Sequence, residues 1–209
     1  MQTTKEKVSY CIGLKTGNDL GRQFSDIDTE RLSQGILDGL LNNEFQLPKE
    51  EVQSILGSLR QQMEVQQRDF AAKMSEANKK SSEAFLTQNK AKENVITLVS
   101  GLQYRVIHSG EVTNPRPTLF DAVTIHYRGS FIDGRVFDSS YQRGKPAVLP
   151  LNRVIPGWSE ILQLMHVGDK WEVFIPSYLA YGEGGMAPVI GPNMALVFEM
   201  ELIGINDQE

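Results

Sequence analysis

The period of the hydrophobic pattern changes near residue 97, and this constrains the fold more than any other feature of the chain. Before that point apolar residues recur at spacings of three, four and seven; after it they alternate. The first period belongs to helices with one apolar face, the second to half-buried strands. Both in one chain of 209 residues predict an α + β protein: a helical N-terminal part, then a β-rich domain.

The helical part has three segments. Residues 48–94 contain one glycine, Gly57, and one proline, Pro48, among many Glu, Gln, Lys, Arg, Ala and Ser residues. Pro48 followed by Glu50 and Glu51 suits a helix N-terminus. Val52, Ile55, Leu56, Leu59, Met63, Phe70, Met74 and Ala77 then make a thin stripe that fades after Met74. A helix of about 45 residues would be roughly 65 Å long, and so polar a rod is expected to be solvated, with one contact stripe. Glycine and proline are too scarce for a flexible linker. Val8, Ile12, Leu20 and Phe24 mark a first short helix; Leu32, Ile36, Leu37, Leu40 and Leu41 mark a second, with Asp28 as its N-cap. Gly13, Gly17, Gly21, Gly35 and Gly39 predict close backbone approach between helices, since a helical glycine otherwise costs about 1 kcal/mol. Lys15, Asn18, Asp19 and Arg22 rule out a membrane dimer. Two short helices cannot build a core alone, so a homodimer through residues 1–45 is expected. Cys11, the one cysteine, excludes an internal disulfide. It is expected as a small buried apolar residue, with an intersubunit bridge as the lesser alternative.

Beyond residue 97, "LQYRVIHSG", "AVLPL", "KWEVFIP" and "ALVFEMELIGI" read as strands. "AVTIHYRGSFIDGRVFDSS" reads as a hairpin around Asp133-Gly134. A single helix, "PGWSEILQLM", sets Trp158, Ile161, Leu162 and Met165 on one side. The expected domain is an antiparallel sheet with that helix on one face.

Several function classes are excluded or disfavoured. A net charge of −5 offers no basic footprint for nucleic acid. No apolar run reaches the roughly 20 residues needed to span a bilayer, and the N-terminus has no apolar signal core. As it stands the chain reads as cytoplasmic, or as periplasmic or outer-membrane if a signal peptide was removed. "GEGGMA" fits a relaxed dinucleotide motif, but Pro188 and Pro192 forbid the helix that motif requires. His108, His126 and His166 lack ligand spacing, and Ser139 and Ser140 read as turn residues. No metal and no cofactor are expected.

An aromatic set remains. Tyr127, Phe137, Trp158, Tyr181 and Phe198 fall on different elements, with Val154, Ile155 and Ile190 between them. Any one of them alone reads as core. Together, with Tyr181 in a glycine-rich loop and Asp138 beside Phe137, they suggest an apolar pocket with a few polar groups.

"VTIHYRGSFIDGRVFDSS", "VIPGWSEILQLMHVGDKWEVFIPSYLAYGEGG" and "GPNMALVFEMELI" resemble the FKBP family of peptidyl-prolyl isomerases over residues 98–205. "KVSYCIG" and "SSEAFLTQNK" extend the resemblance to its dimeric bacterial Mip-like subgroup. The resemblance implies a dimerisation domain at 1–46, a connecting helix at 47–95 and an isomerase domain at 96–209. It implies catalytic roles for Asp138, Tyr181 and Tyr127, and contacts to substrate or inhibitor from Phe137, Arg143, Val154, Ile155, Trp158, Ile190 and Phe198. Asp138 is expected to pair with Tyr127 or Arg143. Ala147 and Met186 stand where the family commonly has an aromatic residue and a histidine, at the pocket rim. The implied partners are proline-containing peptides or unfolded clients and rapamycin-type macrolides. The alternative activity is a non-catalytic holdase using the cleft of a V-shaped dimer.

Overall fold

The computed structural model describes residues 3–44 and 46–206. Residues 1, 2, 45 and 207–209, at the edges of the expected 1–46 and 96–209 segments, lie outside the described residues. The chain divides into two compact units, Met1–Gln62 and Met63–Glu209.

The first unit is helical. Helix α1 (Thr4–Gln23) opens with a capping box in which the Thr3 hydroxyl accepts from the Glu6 amide and the Glu6 carboxylate accepts from the Thr3 amide. Phe24 is its C-cap rather than part of the helix. Helix α2 (Thr29–Leu41) starts at Asp28, whose carboxylate accepts from the amides of Glu30 and Arg31, as its sequence predicts. Neither helix has a buried residue. Val8, Ile12, Leu37, Leu40 and Leu41 are all exposed, and a Cβ added at Gly13, Gly17, Gly21, Gly35 or Gly39 would meet nothing within 4 Å. The close helix approach expected at these glycines is therefore not made within one chain. Cys11, expected to be buried, is exposed, because a one-sided helix buries its stripe only against a facing layer.

Helix α3 (Lys49–Asn89) opens with Glu50 and Glu51 and ends at Asn89, short of the boundary expected at residue 95. There the amides of Ala91 and Lys92 bond carbonyls only three residues back, and Asn94 turns left-handed at φ +62°, which stops α-helical propagation.

The second unit contains seven strands: β1 (Ile96–Thr97), β2 (Gln103–His108), β3 (Ala122–Phe131), β4 (Val136–Ser139), β5 (Ala147–Pro150), β6 (Lys170–Ile175) and β7 (Leu196–Asn206). They form one antiparallel sheet in the order β1-β2-β6-β7-β3-β4, with β5 also pairing β3. Strand β1 was not legible in the sequence, since two residues make no period. The β3–β4 turn has a three-residue loop: Phe131 N–H donates to Arg135 O, and Gly134 takes φ +88°. Helix α4 (Pro156–Leu162) buries Trp158, Ile161 and Leu162 in a core with Val123, Ile125, Val173, Leu196, Met200 and Leu202.

Within this unit α3 presents an unexpected face. Met63, Phe70 and Met74 of the apolar stripe are exposed. The buried positions of the helix are polar, Ser82 and Asn89. Asn89 Nδ2 donates to Gln103 Oε1 at 3.0 Å and Gln103 Nε2 to Leu86 O at 2.9 Å, while Phe85 meets Phe174 with ring centroids 5.9 Å apart.

Candidate functional site

One cleft of about 550 Å³ opens among β3, β4, β5, β7 and α4. Strand β3 supplies Tyr127; β4 supplies Phe137 and Asp138; the entry to α4 supplies Val154, Ile155 and Trp158; β7 supplies Phe198; and the loop after Tyr181 closes one side. Alternation decides which side chains face it. Gly129 lies opposite Asp138 on one side and Phe198 on the other. A Cβ there would come within 2.7 Å of ring atoms of both Phe137 and Phe198, so the missing side chain makes room for the two rings.

The aromatic wall is edge-to-face. Tyr127 meets Trp158 with centroids 4.9 Å apart at 74°, Trp158 meets Phe198 at 5.1 Å and 86°, and Phe137 meets Phe198 at 5.7 Å and 89°. Such pairs add about 0.5–1.5 kcal/mol each beyond their area. They also lock the rings, because a ring held on its edge by a neighbour cannot rotate freely.

Against this wall stands one carboxylate with two partners. Tyr127 OH donates to Asp138 Oδ2 at 2.6 Å, Arg143 Nη1 donates to Asp138 Oδ1, and Arg143 Nη2 donates to the Tyr127 oxygen at 2.8 Å. The guanidinium also lies 5.3 Å from the centroid of the Tyr127 ring. Partial burial pushes the Asp138 carboxyl up, but the Tyr127 hydroxyl and the Arg143 guanidinium outweigh it, so it titrates below the ordinary aspartate value. Burial, then the Asp138 carboxylate, raise the Tyr127 phenol; burial and the same charge raise that of Tyr181. Both phenols therefore stay protonated donors at neutral pH. The Tyr181 hydroxyl faces the cleft with no hydrogen-bond partner among the described residues.

Of the residues expected at a site, Tyr127, Phe137, Asp138, Val154, Ile155, Trp158, Tyr181 and Phe198 line the cleft. Arg143 stands behind Asp138, and Ile190 is buried in the core at 3% exposure. Leu149, Arg153 and Val189 also line the cleft, as does Met186, while Ala147 does not. Leu149 and Val189 carried no signal beyond being apolar. Ser140 was read as a turn residue and does more: its buried hydroxyl accepts from Tyr127 N at 2.8 Å and contacts His126 Nδ1 at 2.9 Å. Among the described residues no cluster of His, Cys, Asp and Glu is arranged to hold a metal, and no helix is long and apolar enough to cross a membrane.

Residues 114–203 match the family described as FKBP-type peptidyl-prolyl cis-trans isomerase, and residues 5–106 the domain described as amino-terminal to it. The outer membrane protein MIP of Legionella longbeachae is 40% identical over 205 residues, 98% of this chain and 87% of the relative. The FKBP-type 22 kDa peptidyl-prolyl cis-trans isomerase of Escherichia coli is 43% identical over 205 residues, 97% of this chain and 96% of the relative. The crystal structure of FkpA from Escherichia coli matches with a TM-score of 0.77 at 28% identity, covering 99% of both chains.

Proposed function

The chain belongs to the FKBP-type peptidyl-prolyl cis-trans isomerases, and from that premise we propose that the cleft beneath Tyr127, Asp138 and Tyr181 is where it rotates X-Pro bonds. Amide resonance sets a barrier of about 18–20 kcal/mol, and no covalent bond breaks, so neither nucleophile nor cofactor is needed. Twisting the amide abolishes its charge separation. A dry aromatic cleft therefore binds the twisted form better than the planar one, which is differential transition-state binding. In this reading Trp158 is the floor for the proline ring, and Phe137, Tyr127 and Phe198 hold its edges. Tyr181 OH donates to the carbonyl of the substrate. Asp138, fixed by Tyr127 and Arg143, places negative charge near the rotating carbonyl carbon.

The observation that carries this reading is the pairing of a tethered carboxylate, 2.6 Å from Tyr127 OH, with an unpartnered phenol, Tyr181, across an aromatic cleft. Tyr181→Phe removes only the hydroxyl. It should lower kcat/KM on a short X-Pro peptide by about tenfold, or about 1.4 kcal/mol of transition-state stabilisation. Unchanged activity in a folded variant would sink the assignment.

The same reading extends to partners. The apolar and glycine faces of α1 and α2 favour a homodimer through residues 1–45, which would place two sites near one unfolded client and raise its effective concentration. Rapamycin-type macrolides should enter the same cleft, with quenching of Trp158 fluorescence in a Trp171→Phe background as the readout. Likeness to the Legionella protein favours a bacterial envelope location, testable by fractionating cells that express the full-length gene.

A further inference from the structure

The polar face of α3 is aimed at one short stretch of backbone. Asn78 Nδ2 donates to Pro192 O at 2.9 Å, and the Ser82 hydroxyl donates to Asn193 O at 3.0 Å. Ala195 N–H donates to that same hydroxyl at 2.8 Å, and Asn193 Nδ2 donates to Ser75 Oγ at 2.8 Å. Positions 75, 78 and 82 are three and four apart, so they share one side of the helix. Ser82 is 5% exposed and uses its hydroxyl both as donor and as acceptor. An apolar stripe could pack there, but it would leave these backbone groups unpaired.

The stretch they hold is the root of the loop that closes the cleft. Tyr181 stands at one end of that loop and Met186 and Val189 at its tip, all three lining the cleft. Gly182 and Gly185 take φ of +57° and +64°, and Gly184 adds further freedom, so the backbone is costly to order. Its internal ties are local: Met186 and Ile190 exchange two backbone bonds, Val189 N–H donates to Met186 O, and Gly185 N–H donates to Tyr181 O. At the root, Asn193, itself left-handed at φ +56°, donates its amide to Gly182 O at 2.8 Å. One residue thus bonds both α3 and the position next to Tyr181.

We propose that Ser75, Asn78 and Ser82 of α3 are positioning residues for the isomerase site: by gripping residues 192–195 they hold Tyr181, Met186 and Val189 against the substrate and set the preference for the residue before proline. This rests on the cleft being the substrate site. The plain alternative is that the same bonds only dock α3 and add stability. Loss of fold would lower the rate on every peptide by the same factor. Loss of positioning would change the ratio between peptides, because Met186 and Val189 line the cleft while the fraction of folded enzyme cancels.

The test uses the full chain and two peptides differing only in Leu or Ala before proline. Ser82→Ala should lower kcat/KM and shift the Leu-Pro to Ala-Pro ratio by about threefold or more, and Ser82→Thr, which keeps the hydroxyl, should restore the ratio. Asn89→Ala removes a buried α3 bond to Gln103 that does not touch the loop, and should lower the melting temperature but leave the ratio unchanged. Asn78→Ala, which removes one partly buried bond, carries the same test should Ser82→Ala not fold. An unchanged ratio in the folded α3 variant, or an equal shift in Asn89→Ala, would overturn the proposal. Tyr181→Ala with wild-type kcat/KM would overturn the site assignment beneath it instead.

Discussion

Asp138 allows a magnitude to be worked from the geometry. Its carboxylate accepts a 2.6 Å bond from Tyr127 OH, and Tyr127 is 8% exposed, so without Asp138 the phenol stands at a buried wall short of one acceptor. A hydrogen bond to a charged group contributes about 1.5–3 kcal/mol. The Asp138 side chain is 40% exposed, so solvent screening places this bond at the lower end, roughly 1.5 kcal/mol. Asp138→Leu should therefore cost about 1.5 kcal/mol of stability, and about tenfold in kcat/KM through the lost charge beside the rotating carbonyl, the part realised in the transition state. Asp138→Asn preserves shape and offers Tyr127 a neutral acceptor, which recovers about half of that and leaves a deficit of roughly threefold. The assay is isomerisation of a short X-Pro peptide, with melting curves to confirm folding. Both variants within twofold of wild type, or asparagine worse than leucine, would refute the reasoning. The pH dependence carries a sign. The folded carboxyl titrates below its unfolded value of 3.8, so its contribution is complete above about pH 4 and is lost as pH falls through the lower folded value. No acid limb from Asp138 should appear between about pH 5 and 8; one centred near pH 6 would contradict its pairing with Tyr127 and Arg143.

Gly129→Ala drives a methyl into Phe137 and Phe198; it should destabilise by about 1–3 kcal/mol and depress activity, and a wild-type melting curve would show that the rings are not held as described. Deleting residues 1–62 leaves the second unit whole, whereas deleting 1–95 also removes Ser75, Asn78, Ser82 and Phe85. The shorter product should melt roughly 10 °C lower, as expected for the loss of about 2–3 kcal/mol in a domain of this size, and equal melting temperatures would show that α3 contributes nothing to the domain. Sedimentation of the full chain should give twice 23.4 kDa; a species of 23.4 kDa would remove the proposed dimer.

Much of this protein is written in short-range sequence. The two periods separate helices from strands, Asp28 caps α2 because its carboxylate reaches amides two and three residues on, and Asp133-Gly134 turns β3 into β4. The aromatic set could be collected without knowing how it assembles, and motif likeness supplied the family. Pairing across distance was another matter. The resemblance offered Tyr127 or Arg143 as the partner of Asp138; that both hold it at once, and that Gly129 is the space between two rings, depend on strand register and on a turn closing. Least legible was the working face of α3. Apolar spacing pointed to Met63, Phe70 and Met74, yet the helix docks through Ser75, Asn78, Ser82 and Asn89. Polar side chains on a polar helix leave no periodic signal. Asn78 and Ser82 find backbone carbonyls, and Ser75 the Asn193 side-chain amide, more than 110 residues away, groups that stand in place only once the loop at 181–193 has folded against the sheet.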